Sequence, residues 1–173
     1  MTTSDIAPDT RPEAPMVGGE RDQLNGFLDF LRATVVMKAT GLTDEQARRP
    51  LVESSPLTTV AGLLAHLTYV EHVWFCHVLD GQDNQWAERL AADPDAEFRV
   101  GHETPLATLI ADYEAQCAVS REIAARLGLE AEGLSRHGAV NLRWVLIHMV
   151  EETGRHAGHL DLLRENIDGS TGE

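Results

Sequence analysis

A chain of 173 residues with 43% hydrophobic and 24% charged content suits one globular domain with a single core. Its formal net charge of -14 repels both a phosphate backbone and an anionic bilayer, which argues against nucleic-acid and membrane partners. Two cysteines far apart, Cys76 and Cys117, exclude a disulfide framework and suit a reducing cytoplasm.

The opening stretch, MTTSDIAPDT, has neither a basic nor an apolar signal-like region, and no apolar run is long enough to span a bilayer, so the expected location is the cytoplasm. Residues 1–20 are rich in Pro, Thr, Asp and Gly and read as an extended arm; residues 21–169 read as the folded domain. The first long helix starts near Arg21 or Asp22, carries Leu24, Phe27, Leu28, Leu31 and Val35 at helical spacing, and stops at Gly41. TDEQ at residues 43–46 is a capping-box pattern for a short helix that Pro50 ends. A second long helix spans about 59–80, with Thr58 or Thr59 as its cap and Gly81 as its end. Residues 82–103 form a long connector in which QWAERL makes a short helical piece. Thr104 and Pro105 give a helix start, with Thr as cap and Pro in the first turn; this third helix runs to Leu127. GLEAEGLSRHGAV reads as a loop. Asn141 caps the fourth helix, which continues to about Ile167. No segment alternates like a strand, so the expected fold is all-α: a four-helix bundle whose long connector permits a crossover.

The polar residues of the fourth helix pose the chemical question. His148, Glu152, His156 and His159 fall within an arc of about 80°, beside Val145, Met149 and Leu163. A lone carboxylate on a core-facing stripe is expensive unless it is paired or binds a cation. Glu152 and His156 stand at i, i+4, so both side chains reach one point. On the second helix His66 sits among Leu63, Leu67, Val70 and Val73. His77 is back on the same face but about 16 Å along the axis, too far for one compact site, and His72 points to another, solvent-facing side. His66, Glu152 and His156 make a two-histidine, one-carboxylate set that leaves a metal open positions. The bland alternative is a buried hydrogen-bond network, with Glu152 paired to Arg143, Arg155 or an arginine of the first helix and His159 bonded across the bundle. Cys76 and Cys117 read as inert buried thiols; Trp74, Trp144 and Tyr69 read as core; Arg143 and Arg155 read as a solvated face.

LLAHLTYVEHVWF and, much later, HMVEETGRHAGHLDLLRE resemble the DinB-like superfamily of metal-binding four-helix bundles, and RPEAPMVGGERDQLNGFLDFLRATVVMKATGLTDEQARR resembles the opening of its actinobacterial "mini-circle" branch. The resemblance covers nearly the whole chain. It implies an up-down-down-up bundle with the long crossover between helices two and three. It implies a divalent metal, zinc or nickel, held by His66, Glu152 and His156. The commonest pattern of the superfamily is three histidines; a mycothiol-dependent isomerase branch has the His, Glu, His set found here. His159 falls where many relatives carry glutamine and is assigned a catalytic, supporting or fourth-ligand role; His148 is assigned a structural or supporting role one turn before Glu152.

The function that follows is metal-dependent transfer of a low-molecular-weight thiol, mycothiol in type, to a small electrophile. A thiol-dependent isomerase, a metal-dependent hydrolase and a non-catalytic stress-related metal module are the alternatives. Relatives are often homodimers, and exposed apolar helix faces are compatible with one here.

Overall fold

The computed structural model describes residues 10–171. Helices dominate them: α1 (Glu20–Ala39), α2 (Asp44–Ala47), α3 (Val60–Glu71), α4 (Ala87–Ala92), α5 (Ala96–Glu103), α6 (Leu106–Arg126) and α7 (Leu142–Asp168). α3 runs on into a π-helical segment, His72–Leu79, and the two together form the second long helix. The expected arm lies partly, at residues 1–9, outside the described residues; the rest of it has no helix before Glu20, and Arg11 donates to Thr34 Oγ1 at 2.9 Å from above the Phe30 ring.

Local chemistry sets most of the boundaries. Thr59 Oγ1 accepts from the Gly62 N–H at 3.0 Å and Asn141 Oδ1 from the Trp144 N–H at 2.9 Å, each satisfying an amide that the first helical turn leaves free. Thr43 and Gln46 exchange both bonds of a capping box. α6 departs from the expected start. It begins at Leu106 rather than at Pro105, because Thr104 closes α5 instead, its N–H donating to the Val100 carbonyl at 3.0 Å. The side chain that serves the first turn of α6 comes from α2: Asp44 Oδ1 accepts from the Leu106 N–H at 2.9 Å.

Apolar burial holds the long helices together. α1 packs along α7, and α3 packs against α5, α6 and α7. Leu63, Leu64 and Leu67 of α3 share one core with Leu109 and Tyr113 of α6 and Leu160 of α7. A second cluster joins Leu28, Phe75, Ile123, Leu146 and Met149. Each such side chain contributes about 1.5–3 kcal/mol when fully buried. Among these apolar groups Arg32 grips Glu71 through two hydrogen bonds of 2.7 Å, with Glu71 wholly shielded from solvent. Lys38 is also buried, its Nζ 2.5 Å from Asp161 Oδ1. Cys76 and Cys117 are free and buried, and burial together with the Glu71 charge pushes the Cys117 thiol up to about 12.

Several expectations need correction. The loop after α6 contains an antiparallel hairpin, β1 (Glu132–Ser135) and β2 (Gly138–Asn141), whose strands are too short to show alternation in sequence. Gly133 lets β1 lie on the π segment, since a Cβ there would come 2.2 Å from the Val78 carbonyl oxygen. The 82–103 connector holds two helices, α4 and α5, not one. His72 is buried rather than solvent-facing: Asp83 of the following turn and Gln116 of α6 close over it, and burial lowers its pKa. The π geometry displaces everything after it from α-helical register, as the Asp80 N–H bonding the Phe75 carbonyl five residues back shows. Trp144, expected in the core, is 46% exposed, since its ring lies along the surface with His148.

Candidate metal centre

α3 and α7 bring His66, Glu152 and His156 together. Each offers one donor atom, and the three atoms lie within 4.8 Å of one another. His66 Nε2 is 3.3 Å from Glu152 Oε1, and His156 Nε2 is 3.3 Å from the same oxygen. The side chains of His66, Glu152 and His156 are only 14%, 12% and 12% exposed. Hydrogen bonds from His156 and then His66 outweigh burial and hold the Glu152 carboxyl well below the usual carboxylate range. Its other oxygen, Oε2, faces Arg155 Nη1 at 3.2 Å. Arg155 itself is half exposed and also pairs with Glu151, so it turns the carboxylate without enclosing it.

Each imidazole therefore presents Nε2 inward and Nδ1 outward. The Nδ1 of His156 meets the Nδ1 of His159 at 3.2 Å. His159 thus stands behind His156, on the edge away from Glu152, and is not one of the three converging donors. Burial, and then the charges of His156 and Arg155, lower its pKa. His66 is held by α5. Its ring stacks on Phe98 with centroids 4.5 Å apart and planes 9° from parallel, and its Nδ1 lies 3.6 Å from Glu97 Oε1. Glu97 and Phe98 escape sequence reasoning, because they sit in a segment that reads as connector.

The other candidates go elsewhere. His148 stacks on Trp144, meets Trp74 edge-on and lies 3.8 Å from Glu151. His77 is exposed and pairs with the Gln82 carbonyl. Of the three arginine partners considered for Glu152, Arg155 is the one found; Arg143 pairs with Glu20 and Glu130, and Arg32 with Glu71. No helix of the described residues is long and apolar enough to cross a membrane.

The donor set fits a small divalent cation. Metal–nitrogen and metal–oxygen bonds of about 2.0–2.2 Å in tetrahedral array give donor–donor edges of about 3.3–3.6 Å. Both imidazole–carboxylate edges match that value, and the edge between the two imidazole nitrogens is within 4.8 Å.

A family model described as mycothiol-S-transferase matches residues 23–169. The chain belongs to the mycothiol-S-transferase family. Curated proteins and solved structures give no match. Membership bears out the DinB-like resemblance and the reading as a thiol S-transferase, and makes the protein an enzyme whose thiol is mycothiol.

Proposed function

We propose that His66, Glu152 and His156 hold a divalent metal, with zinc ahead of nickel, and that the enzyme uses this site to join mycothiol, through its sulfur, to a small electrophile. The observation that carries the reading is the convergence of two imidazole Nε2 atoms on Glu152 Oε1 at 3.3 Å in a shielded setting. When bound there, a divalent cation facing two neutral imidazoles and one carboxylate keeps a net positive charge and lowers the pKa of a thiol beside it.

The remaining work falls to the chain's own groups. In the metal-free fold the His66 and His156 Nε2–H groups donate to Glu152 Oε1; with a cation bound those protons are displaced and the two Nε2 lone pairs meet it, with Glu152 supplying the single negative charge. Arg155 holds Glu152 Oε2 and so leaves Oε1 between the rings. His159 braces His156 by accepting its Nδ1–H, and the thiol proton leaves to solvent. In the transfer itself the S–H proton leaves, a sulfur lone pair forms the new S–C bond, and the electrophile's leaving group departs with the electrons of the bond that breaks. The product is a stable thioether, which separates transfer from isomerisation and from hydrolysis.

The same reading takes residues 21–169 as the working unit, with the arm before it and an up-down-down-up order whose crossover carries α4 and α5. Buried free thiols support a cytoplasmic setting. Exposed Phe27, Ile147 and Leu162 on the outer helix faces support a homodimer.

Metal analysis of tag-free protein and of His156→Ala is the test, followed by mycothiol consumption against a panel of electrophiles. Stoichiometric zinc or nickel in the parent, absent in the variant, supports the site. A parent that stays metal-free after loading, or a variant that binds as well as the parent, sinks it.

A further inference from the structure

We propose that Glu97 is a positioning residue for His66: when the metal is bound, its carboxylate accepts the Nδ1–H, which fixes the ring tautomer with Nε2 as the ligating nitrogen. This rests on the metal-site reading above, and it names a residue from a different part of the chain.

The two nitrogens of an imidazole lie on opposite edges of the ring, and a neutral ring carries its proton on only one of them. His66 Nε2 faces Glu152 at 3.3 Å, so it must be the bare nitrogen if a cation is to bind there. The proton then belongs on Nδ1. That nitrogen is shielded from solvent and has no hydrogen-bond partner at its present position. The polar group facing it is Glu97 Oε1, at 3.6 Å. Closing that gap by roughly 0.6 Å makes an ordinary N–H to oxygen bond.

Glu97 is itself out of place as a surface acid. It is only 7% exposed, and its Oε2 is buried without a partner. A buried carboxylate with an unused oxygen is costly unless it serves something. Its neighbour in sequence, Phe98, lies flat on the His66 ring. α5 therefore grips this histidine twice, on its face through Phe98 and on its edge through Glu97. Glu97 is not a fourth ligand, because it stands across the ring from Glu152 and outside the set of converging donors. Carboxylates that accept the outer N–H of a ligating histidine raise its basicity and hold its orientation.

The test measures zinc affinity by chelator competition and records the visible spectrum of the cobalt-loaded protein, for the parent, His156→Ala, Glu97→Leu, Glu97→Asp and Glu97→Gln. Loss of such a partner costs about 10–100-fold in metal affinity. Glu97→Leu is expected to show that loss, with thermal stability of the metal-free form unchanged or raised and with the cobalt band intensity of the parent, so that no ligand has gone. Glu97→Asp, one methylene short of a contact already 3.6 Å long, behaves like Glu97→Leu and serves if that variant does not fold. Glu97→Gln keeps an acceptor and recovers part of the affinity. Parent-like zinc affinity in both Glu97→Leu and Glu97→Asp, with affinity lost in His156→Ala, overturns this inference and spares the site. A cobalt spectrum showing a lost ligand in Glu97→Leu overturns it as well, by making Glu97 a direct donor. Parent-like binding in His156→Ala overturns the site and this inference together.

Discussion

Replacing Gly101 by alanine should disturb the metal centre from a distance. α5 lies so close to α3 that a Cβ at position 101 would come 2.3 Å from the Ala61 carbonyl oxygen, 2.5 Å from the Ala61 carbonyl carbon and 2.7 Å from the Gly62 nitrogen. These are backbone atoms of a packed helix and cannot turn aside. Restoring ordinary contact at about 3.5 Å requires α5 to retreat by roughly 1 Å. Overpacking of this kind costs about 1–3 kcal/mol. In a chain of this length each kcal/mol lowers Tm by about 2–4 °C. The retreat also carries Glu97 and Phe98 away from His66, so zinc affinity falls along with Tm. Gly158→Ala is the control: Gly158 lies in α7 beside the site, nothing stands within 4 Å of its added Cβ, and alanine there favours the helix by up to ~1 kcal/mol. Calorimetric scans and zinc titrations of both variants check the pair. If Gly101→Ala keeps the parent's Tm and zinc affinity, α5 does not seat against α3 as described and the account of how His66 is held fails with it.

Arg32→Met leaves Glu71 buried without its partner and should cost about 3–5 kcal/mol in urea unfolding, while adding Glu71→Leu recovers most of the loss. The depressed Glu152 carboxyl stabilises the metal-free fold above the unfolded value near ~4.3, and that contribution is lost as pH falls towards the folded value. Acid titration of stability should therefore be steeper below about pH 4 for the metal-free parent than for Glu152→Gln. Native protein at pH 8 should resist a thiol reagent, because Cys76 and Cys117 are buried and the Cys117 thiol is pushed up to about 12; both cysteines should react at once in denaturant, and rapid labelling of the native state would contradict the packing.

The sequence makes the α7 half of the site legible, because Glu152 and His156 at i, i+4 need only helical geometry to meet. His66 is legible as a histidine among leucines, though its pairing with α7 depends on tertiary packing that spacing alone does not fix and that the resemblance supports. The grip on His66 is hidden for a different reason. DAEFRVGHE is too short and too mixed for an apolar period to stand out, and Glu97 looks like any other of the 28 acidic residues. His72 misleads because Asp83 of the following turn and Gln116 of α6 close over it, a tertiary contact with no signature in residue spacing. The hairpin at 132–141 escapes because four-residue strands carry no usable alternation.

The placement of the chain's own reactive groups has a consequence for self-modification. A catalyst that turns over electrophiles is exposed to its substrates at every nucleophilic side chain. Here both thiols are buried, and the sole lysine, Lys38, is 5% exposed with its amine against Asp161. The plentiful cations at the surface are arginines, whose guanidinium stays protonated and is a poor nucleophile. Among the described residues the outer surface therefore offers no cysteine or lysine for adduct formation, and the thiol that meets the electrophile is the one the co-substrate brings.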